Sequence, residues 1–492
     1  MVGNVYGVDV NLSKPLTQLI PKLIELNGCG FGGHFFKYEA GFSYYKKFMS
    51  QIALRTNGKP IFIKNDRTSA ANTFTTFLGE KDALDTRVLR EEVYKYHKKL
   101  FGDQVYLDPF WIEDEQNHAI LRLSKIYQPR SGFYLEAARS LGIEAFAYDS
   151  INIYPGKIEF IYNGKSSVYS SDDIGVIWAK GLKQGLVPEI YQHLFLNDSL
   201  TEGVLSSKTF TRFILDPETE NKIFPRAISV GVNGKSYDEI IEFLESLRSD
   251  LVVHKIDAGS QGVGIRIINR ELMVEQLNLQ RSKFDLDVYC GVLHSLYQWS
   301  TSGTPFEEGL QIIEEFVPSI PIYNPNTDQV HAGNARVVVF APHGEKPIAI
   351  DSQWRLASEP MNSGASLEQR FRANLSRGAT LQVITPQHKR IMEEHAVMSV
   401  LAFEKTLETF IRPNVEFVRR SIRNDGGGEI KPLDAVRGMY FLQEMDNTLQ
   451  KTGKKGFSEE ISLPNRSLEI SASCDELIFD LVRNLEQIAD KF

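Results

Sequence analysis

The spacing of apolar residues divides the chain into a first part with helical periodicity and a longer part in which strand and helix patterns alternate. Residues 1–115 are rich in Phe and Tyr, and the segment TRVLREEVYKYHKKLFG at 86–102 has apolar residues three and four apart. That spacing places apolar side chains on one face of a helix. The pattern therefore predicts a mostly helical N-terminal region, to which it assigns no chemistry.

Strand and helix patterns alternate from residue 116 onward. AILRLSKIYQ at 119–128 predicts a strand, and GFYLEAARSLG at 132–142 predicts a helix that ends at Gly142, since glycine is the usual residue just past a helix end. IEAFAYD at 143–149 predicts the next strand. Together these segments have the order of a βαβ-like unit.

A hairpin and a series of further elements follow. KIEFIYNGKSSVYS at 157–170 predicts two strands joined at Asn163-Gly164, because Asn-Gly favours tight turns with positive φ. The order of all elements predicts an α/β or α+β fold in several layers, with antiparallel hairpins. The other predicted strands are IGVIWAKG, LVVHKI, LQIIEEFV, ARVVVFAP, KPIAIDSQWRLA and MYFLQEM, and the other predicted helices are SYDEIIEFLESLRSD and TPQHKRIMEEHAVMSVLAFEKTLETFI.

Composition narrows the class of protein. With 492 residues, 42% apolar and 24% charged, the chain has the content of a folded globular protein of about two to four domains. A formal charge of -8 argues against nucleic acid or anionic membrane as the main partner, because phosphate binding needs clustered Lys and Arg. Three widely spaced cysteines, no secretion signal and no long apolar run predict a cytoplasmic protein.

A glycine-rich segment, DAGSQGVG at 257–264, follows the predicted strand that carries Lys255. Glycines let several backbone N–H groups point into one concavity, which suits a phosphate, and Lys255 would add a positive charge there. The simpler alternative is a hairpin with a solvated lysine. The segment is neither a Walker A loop nor a dinucleotide fingerprint, because no G-K-[ST] opens a helix and an extended run follows the glycines.

The order of motifs around this segment resembles that of the ATP-grasp ligases, closest to the glutathione-synthetase-like and peptide- or protein-glutamylating branch. The resemblance covers about residues 117–450 and implies an ATP-grasp fold with a small α/β pre-grasp domain. It rests on SSKTF, VVHKIDAGSQGVGI, IIEEFV, GNARVVVF, AIDSQWRLAS, RANLSRGA and YFLQEMDNT, in that order. The predicted divisions are an N-terminal head at 1–115, a pre-ATP-grasp domain at 116–205, a nucleotide-binding subdomain at 206–317 with an insertion at 269–309, and a catalytic subdomain with a tail at 318–492.

The resemblance implies roles for several residues in ATP binding. Two lysines would contact the nucleotide from two sides, backbone groups of the glycine-rich segment would contact phosphates, and a hinge would receive adenine and ribose. A surface lysine, or solvated acids at a strand end, is the alternative at these positions. The implied residues are Lys208, Lys255, Gly259, Ser260, Gly262, Gly264, Glu314, Glu315 and Phe316.

Catalytic roles fall on two arginines and one loop. Arg336 and Arg355 match arginines that face the γ-phosphate and an acyl phosphate, and a planar guanidinium suits them because it holds two oxygens at once. A surface salt bridge is the alternative. Asn374 and Arg377 would belong to a loop over the reacting groups. Relatives often have Asp-x-Arg where this chain has Asn334, so a charge is lost at that position.

A late acidic set predicts a magnesium site. Glu444 and Asp446 stand two apart on a predicted strand, so both project from one face, and Asp434 would supply a third ligand. The resemblance implies two Mg²⁺ ions, with Mn²⁺ as a substitute. The family usually has Glu-x-Asn, whereas here Asp446 takes the Asn position and Asn447 follows.

These residues together predict an ATP- and Mg²⁺-dependent ligase that joins a carboxylate to an amine through an acyl phosphate. The expected partners are a small-molecule or peptide carboxylate and an amine acceptor, with a protein acceptor as a variant and a homo-oligomer left open. The alternative function is an ATP-grasp nucleotide-binding module that acts in protein interaction or regulation without ligation.

Overall fold

The structure is a computed structural model of the chain, and its description covers sixteen parts of the sequence. The described residues are 2–14, 19–28, 38–64, 74–80, 106–113, 118–126, 131–179, 187–205, 207–213, 215, 217–230, 237–256, 265–281, 311–325, 327–374 and 379–412.

Strands dominate the described parts. They are β1 (Gly3–Ser13), β2 (Ile20–Asn27), β3 (Ile61–Lys64), β4 (Phe74–Glu80), β5 (Tyr106–Glu113), β6 (His118–Ile126), β7 (Ala145–Tyr148), β8 (Ser150–Tyr154), β9 (Lys157–Tyr162), β10 (Lys165–Ser170), β11 (Val176–Trp178), β12 (Ala227–Val230), β13 (Leu251–Ile256), β14 (Arg266–Asn269), β15 (Gln311–Glu315), β16 (Ile322–Asn324), β17 (Gln329–Pro342), β18 (Ile348–Pro360) and β19 (Thr380–Gln382).

Nine α-helices lie in the same described parts. They are α1 (Tyr38–Ala53), α2 (Ser131–Ser140), α3 (Ser199–Leu205), α4 (Lys208–Phe213), α5 (Pro217–Ile223), α6 (Tyr237–Glu245), α7 (Arg270–Arg281), α8 (Leu367–Phe371) and α9 (Pro386–Thr406). A π-helical turn at Leu407–Ile411 continues α9. Among these helices, none combines the length and the apolar character that crossing a membrane requires.

The mixed α/β fold in several layers is confirmed. The predicted strands LVVHKI, LQIIEEFV and ARVVVFAP correspond to β13, β15 and β17, and the long predicted helix at 385–411 corresponds to α9 and its π-helical turn. The mostly helical prediction for residues 1–115 is wrong for the described parts of that region, which hold β1 to β5 and only α1. The segment 86–102, on which that prediction depended, lies outside the described residues.

The chain forms two compact units, each assembled from separate stretches of sequence. The first unit is Met1–Val10, Asn27–Asp198 and Ser319–Val397, and the second is Asn11–Leu26, Ser199–Pro318 and Met398–Phe492. The linear division of the chain into four regions stays a prediction.

The main sheet of the first unit places β17 between β18 and β1. All three strands run antiparallel, with Asp9 of β1 opposite Arg336 of β17, and Arg336 opposite Gln353 of β18. Every residue of β1 is buried, as expected for a strand with neighbours on both edges. At the start of β1, Gly3 has φ +142°, and a Cβ there would lie 2.3 Å from the carbonyl oxygen of Ala341, so only glycine fits this close pairing.

An aromatic core lies in the first unit. The rings of Tyr44, Phe48, Tyr134 and Trp178 pack with one another mainly edge to face, and the hydroxyl groups of Tyr44 and Tyr134 lie 3.0 Å apart. Burying each such side chain contributes roughly 1.5–3 kcal/mol. This core carries α1 and α2 and keeps β17 in place through Phe340.

The βαβ-like unit is wrong in its strand partners, although its helix and both of its strands are confirmed as elements. β7 pairs in parallel with β3, whereas β6 pairs with β4 and β5 in a different sheet. The helix α2 ends at Ser140 and is closed by Gly142, as predicted: the φ of Gly142 is +69°, and Ile143 N donates to the carbonyl of Ala138 at 2.9 Å. This is the Schellman arrangement at a helix end.

The predicted hairpin at 157–170 is confirmed. β9 and β10 pair antiparallel from Lys157 opposite Ser170 to Tyr162 opposite Lys165. Both turn residues have positive φ, +50° at Asn163 and +75° at Gly164, which is the type I′ geometry that matches the twist of the two strands.

The second unit contains a four-stranded antiparallel sheet in the order β12–β15–β13–β14. One face of this sheet, with Val252 and Ile313, packs against apolar residues of α6 and α7 such as Ile240 and Met273. Because side chains alternate along a strand, the residues between these point to the other face.

Candidate functional site

The second face of the four-stranded sheet carries charged residues. Lys255 lies opposite Ile312, and Val253 lies opposite Glu314, so Lys255 and Glu314 share this face. Glu314 forms an ion pair with Lys255 and another with Arg212 of α4, whose Nη2 lies 2.6 Å from Glu314 Oε1. Lys255, Arg212 and Glu314 are named the lysine cluster below. The structure thus joins two residues that the sequence assigned to one site.

All three members of the lysine cluster are buried: Glu314 is 3% exposed, Lys255 4% and Arg212 6%. Burial alone would raise the pKa of Glu314, but the charges of Lys255 and Arg212 and their hydrogen bonds outweigh it and hold this pKa below the ordinary value. Glu314 is therefore ionised at neutral pH. Because Arg212 also pairs with Glu220, the two cations of the cluster face two carboxylates.

Arg212 connects the lysine cluster to the segment that leads into β12. Its Nη1 lies 2.9 Å from Glu220 Oε1 and 3.1 Å from the carbonyl oxygen of Pro225, and its guanidinium lies 4.3 Å from the ring centroid of Phe224. A guanidinium held by two carboxylates, a carbonyl and an aromatic face has one defined orientation. Sequence reasoning missed Arg212; its signal was a lone arginine inside the apolar run TFTRFIL.

Lys255 and Lys208, the two lysines predicted to bind the nucleotide, contact neighbouring residues of β2. Lys255 Nζ lies 3.5 Å from the carbonyl oxygen of Ile24, and Lys208 Nζ lies 3.6 Å from Glu25 Oε1. Lys208 is the first residue of α4, so the helix-start interpretation of this position is correct. Lys22, two residues before Ile24 on β2, donates from its Nζ to the carbonyl oxygen of Phe224 at 3.2 Å. Sequence reasoning missed both Lys22 and Glu25.

The two acids of the predicted hinge, at the end of β15, differ in burial. Glu314 is held in the lysine cluster, whereas Glu315 follows it on the alternate side and is half-buried. The backbone N–H of Glu315 donates to Arg226 O at 2.8 Å, and that of Phe316 donates to Leu251 O at 3.3 Å. These bonds extend the sheet pairing to the hinge.

In the first unit, Arg336 and Arg355 converge on one carboxylate, that of Asp9. Arg336 binds it side-on, with Nε on Oδ1 and Nη2 2.9 Å from Oδ2, and Arg355 Nη2 lies 2.5 Å from the same Oδ2. The amide oxygen of Asn334 accepts from Arg355 Nε at 3.0 Å and from Nη2 at 2.8 Å. Asp9, Asn334, Arg336 and Arg355 are named the arginine cluster below.

The carboxylate of the arginine cluster comes from a residue that sequence reasoning missed. Asn334 on β17 supplies an uncharged amide oxygen, and the carboxylate comes from Asp9 on β1, directly across from Arg336. Asp9 went unnoticed because it lies in the region to which no chemistry was assigned. Its signal was a charged residue inside the apolar run VYGVDVNL, since a buried charge needs a partner of opposite sign.

Asp9 is ionised in the folded protein. Burial would raise its pKa, but the charges of Arg336 and Arg355, with their hydrogen bonds, hold the pKa below the ordinary value of 3.8. A carboxyl group whose pKa is lower in the folded than in the unfolded chain stabilises the fold above the unfolded pKa, and this stabilisation is lost as the pH falls through the folded pKa.

We therefore expect the stability difference between the wild type and Asp9→Asn to be constant from about pH 5 to 8 and to shrink as the pH falls below about 3.8, because protonation removes the same charge as the substitution. Urea unfolding of both proteins over this pH range measures the difference. A difference that grows towards low pH would contradict the assignment of an ionised Asp9.

The predicted catalytic loop begins at Asn374 and returns to the sheet beside Arg355. The carbonyl oxygen of Asn374 accepts from Ala379 N at 3.2 Å, and the next residue, Thr380, opens β19 opposite Leu356. Leu381 is then the partner of Arg355 on β18. The loop is thus anchored next to the arginine cluster, and Arg377 within it lies outside the described residues.

The glycine-rich segment connects two paired strands. β13 and β14 form an antiparallel pair that ends with His254 opposite Arg266, so the chain does turn back on itself here. This agrees with both interpretations of the segment, as a hairpin or as a phosphate loop. Further predicted site residues lie outside the described residues, namely Gly259, Ser260, Gly262, Gly264, Asp434, Glu444 and Asp446. Within the described parts, no group of three or more His, Cys, Asp or Glu residues could hold a metal ion.

Comparisons with known proteins find a weak structural likeness but no match in sequence. No protein-family model matches the chain, and no curated protein matches it in sequence. Among solved structures, one similar chain is the "Putative gamma-glutamylcysteine synthetase" of Methylobacillus flagellatus KT, with a TM-score of 0.39 and 13% identity, over 82% of this chain and 90% of that one. A likeness this low carries no argument about the activity of the protein.

Proposed function

We propose that the protein is an ATP- and Mg²⁺-dependent ligase of the ATP-grasp type that joins a carboxylate to an amine through an acyl phosphate. The acid is a small molecule or a peptide, and the acceptor is an amine. This proposal combines the order of sequence motifs with the geometry of the two charged clusters.

The arginine cluster is the observation that carries the proposal. Arg336 and Arg355 are oriented by one shared carboxylate, that of Asp9. The side chains of Arg336 and Arg355 are only 12% and 10% exposed, and in such a site a fixed cation interacts more strongly with an anion than it does in water. Such a pair suits a substrate carboxylate or the phosphoryl oxygens of an acyl phosphate.

The lysine cluster supports the nucleotide part of the proposal. Lys255 stands two residues before the glycine-rich segment at 257–264, and Glu314 and the carbonyl oxygen of Ile24 orient its ammonium group. A charge fixed next to a loop rich in backbone N–H groups suits a nucleotide phosphate. We assign the ribose contact to Glu315, because Glu314 is held in two ion pairs.

The proposed reaction has two displacement steps. A carboxylate oxygen of the acid attacks the γ-phosphorus of ATP, the bond to the β,γ-bridging oxygen breaks, and ADP leaves. The amine nitrogen then attacks the acyl carbon, the bond from this carbon to the phosphate oxygen breaks, and the nitrogen gives its proton to water or phosphate. Arg336 and Arg355 would hold the anionic oxygens in both steps. Mg²⁺, when bound, neutralises phosphate charge, and Asp434, Glu444 and Asp446 are its proposed ligands.

A nucleotide-binding module that does not ligate is the second candidate, and one observation favours it. Each predicted site cation within the described residues already has an acidic partner in the chain: Lys208 with Glu25, Lys255 with Glu314, and Arg336 and Arg355 with Asp9. A module that needs these cations only for its own folding would show this pairing.

The two candidates differ in turnover. With ATP and Mg²⁺ and a panel of amino acids and peptides, a ligase releases phosphate only when both an acid and an amine are present, and mass spectrometry finds their condensation product. We expect Lys255→Met to raise the KM for ATP by about 10–100-fold, because a charge-assisted hydrogen bond is lost. Lys222→Met, which replaces an exposed lysine of the same unit, is the control.

Retained Mg-ATP binding without turnover on any pair of the panel would favour the module. A protein that neither binds nor hydrolyses ATP would contradict both candidates.

A further inference from the structure

We infer that Asp9 is a positioning residue, which holds the guanidinium groups of Arg336 and Arg355 in place for the anionic group of the acid substrate. The inference rests on the proposed function for the identity of that anion. It adds a residue from β1 to a site whose two predicted arginines lie on β17 and β18.

Both arginines contact the same oxygen atom of Asp9. Asp9 Oδ2 accepts from Nη2 of Arg336 at 2.9 Å and lies 2.5 Å from Nη2 of Arg355. Two guanidinium groups repel each other at such a separation unless an anion lies between them. The carboxylate of Asp9 is that anion, so it sets the spacing of the two cations.

The register of the sheet places the residues of the arginine cluster next to one another. Asp9 lies directly opposite Arg336, and Asn334 lies directly opposite Arg355, so all four side chains project from one face of three paired strands. Arg355 is held from two sides, by the carboxylate of Asp9 and by the amide oxygen of Asn334. Residues on paired strands give a more precise site than residues on loops, and this rigidity is what orienting an anion requires.

Charge and orientation predict opposite effects when Asp9 is neutralised, which makes the inference testable. Asp9→Asn raises the positive charge of the arginine cluster by one unit, so a site that works by charge alone would bind an anion more tightly. A site that depends on orientation would bind it more weakly, because the two guanidinium groups lose their common acceptor.

The test is the affinity of the full chain for inorganic phosphate, measured by isothermal titration calorimetry. We expect Asp9→Asn to weaken phosphate binding by at least about tenfold, and Arg355→Gln to abolish it. In the double variant Asp9→Asn/Asn334→Asp, the carboxylate moves to the position beside Arg355, and we expect most of the lost affinity to return.

Asp351→Asn is the matched control. It removes another carboxylate from the same sheet, one that pairs with Lys389 of α9, and we expect phosphate affinity within about twofold of the wild type. If Asp9→Asn does not fold, Asp9→Glu takes its place. That substitution keeps the charge but moves the carboxylate by one methylene, and we again expect about tenfold weaker binding.

Three results would overturn the inference: phosphate binding that is equal or tighter in the folded Asp9 variant, binding that survives Arg355→Gln, or no binding to the wild type. None of these measurements needs turnover. A protein that binds phosphate as expected but never ligates would therefore contradict the proposed function and leave the role of Asp9 standing.

Discussion

Replacing Glu314 by glutamine is expected to destabilise the protein by about 3–5 kcal/mol. The substitution keeps the shape of the side chain but leaves Lys255 and Arg212 buried without their shared carboxylate, and an uncompensated buried charge is costly. Urea unfolding followed by far-ultraviolet circular dichroism measures the loss.

The neighbouring residue provides the control for this prediction. Glu315→Gln makes the same chemical change one position later, at a half-buried side chain, and we expect a loss below about 1 kcal/mol. Equal losses for the two variants would show that the lysine cluster contributes no special stability. We also expect Glu315→Gln, and not Glu314→Gln, to act mainly on ATP affinity, because Glu315 is the residue assigned to the ribose.

Replacing Arg355 by glutamine is expected to lower kcat/KM for ligation by a factor on the order of 10²–10³. Glutamine can donate one hydrogen bond but carries no charge and cannot hold two oxygens at once, so the developing anion loses its partner. Steady-state kinetics with the acid substrate varied measures the effect. Arg355→Lys keeps the charge but not the planar fork that binds Asn334 and Asp9, and we expect an intermediate loss.

Arg390→Gln is the matched control for this change. Arg390 lies in the same unit, on α9, with its side chain exposed to solvent, and its neutralisation should leave kcat/KM within about twofold. Loss of activity in both arginine variants would point to the net charge of the protein rather than to the arginine cluster.

Local patterns predicted local structure well in this chain. The helix end at Gly142 and the turn at Asn163-Gly164 followed from glycine and asparagine chemistry, which depends on a few adjacent residues. Which strands pair with each other could not be predicted from adjacent residues. The strand at 119–128 and the strand at 143–149 are neighbours in sequence but belong to different sheets, because pairing is decided by tertiary packing that no local window contains.

In the charged clusters, the sequence likewise identified some residues but not the residues that pair with them. Lys255, Glu314, Arg336 and Arg355 could be selected from motifs, since each stands at the end of an apolar run or inside a strand. Their partners could not. Asp9 reaches Arg336 across 327 residues of sequence, and that contact depends on the pairing of β1 with β17.

That long-range pairing has a consequence for biosynthesis. When β1 leaves the ribosome, β2 follows at once, but its other partner strand, β17, has not been made, and at about 5–20 residues per second the wait is roughly 15–65 s. During this time the edge of β1 that pairs with β17 has unpaired backbone groups and is a target for aggregation, and the nascent chain is expected to need a chaperone until β17 emerges.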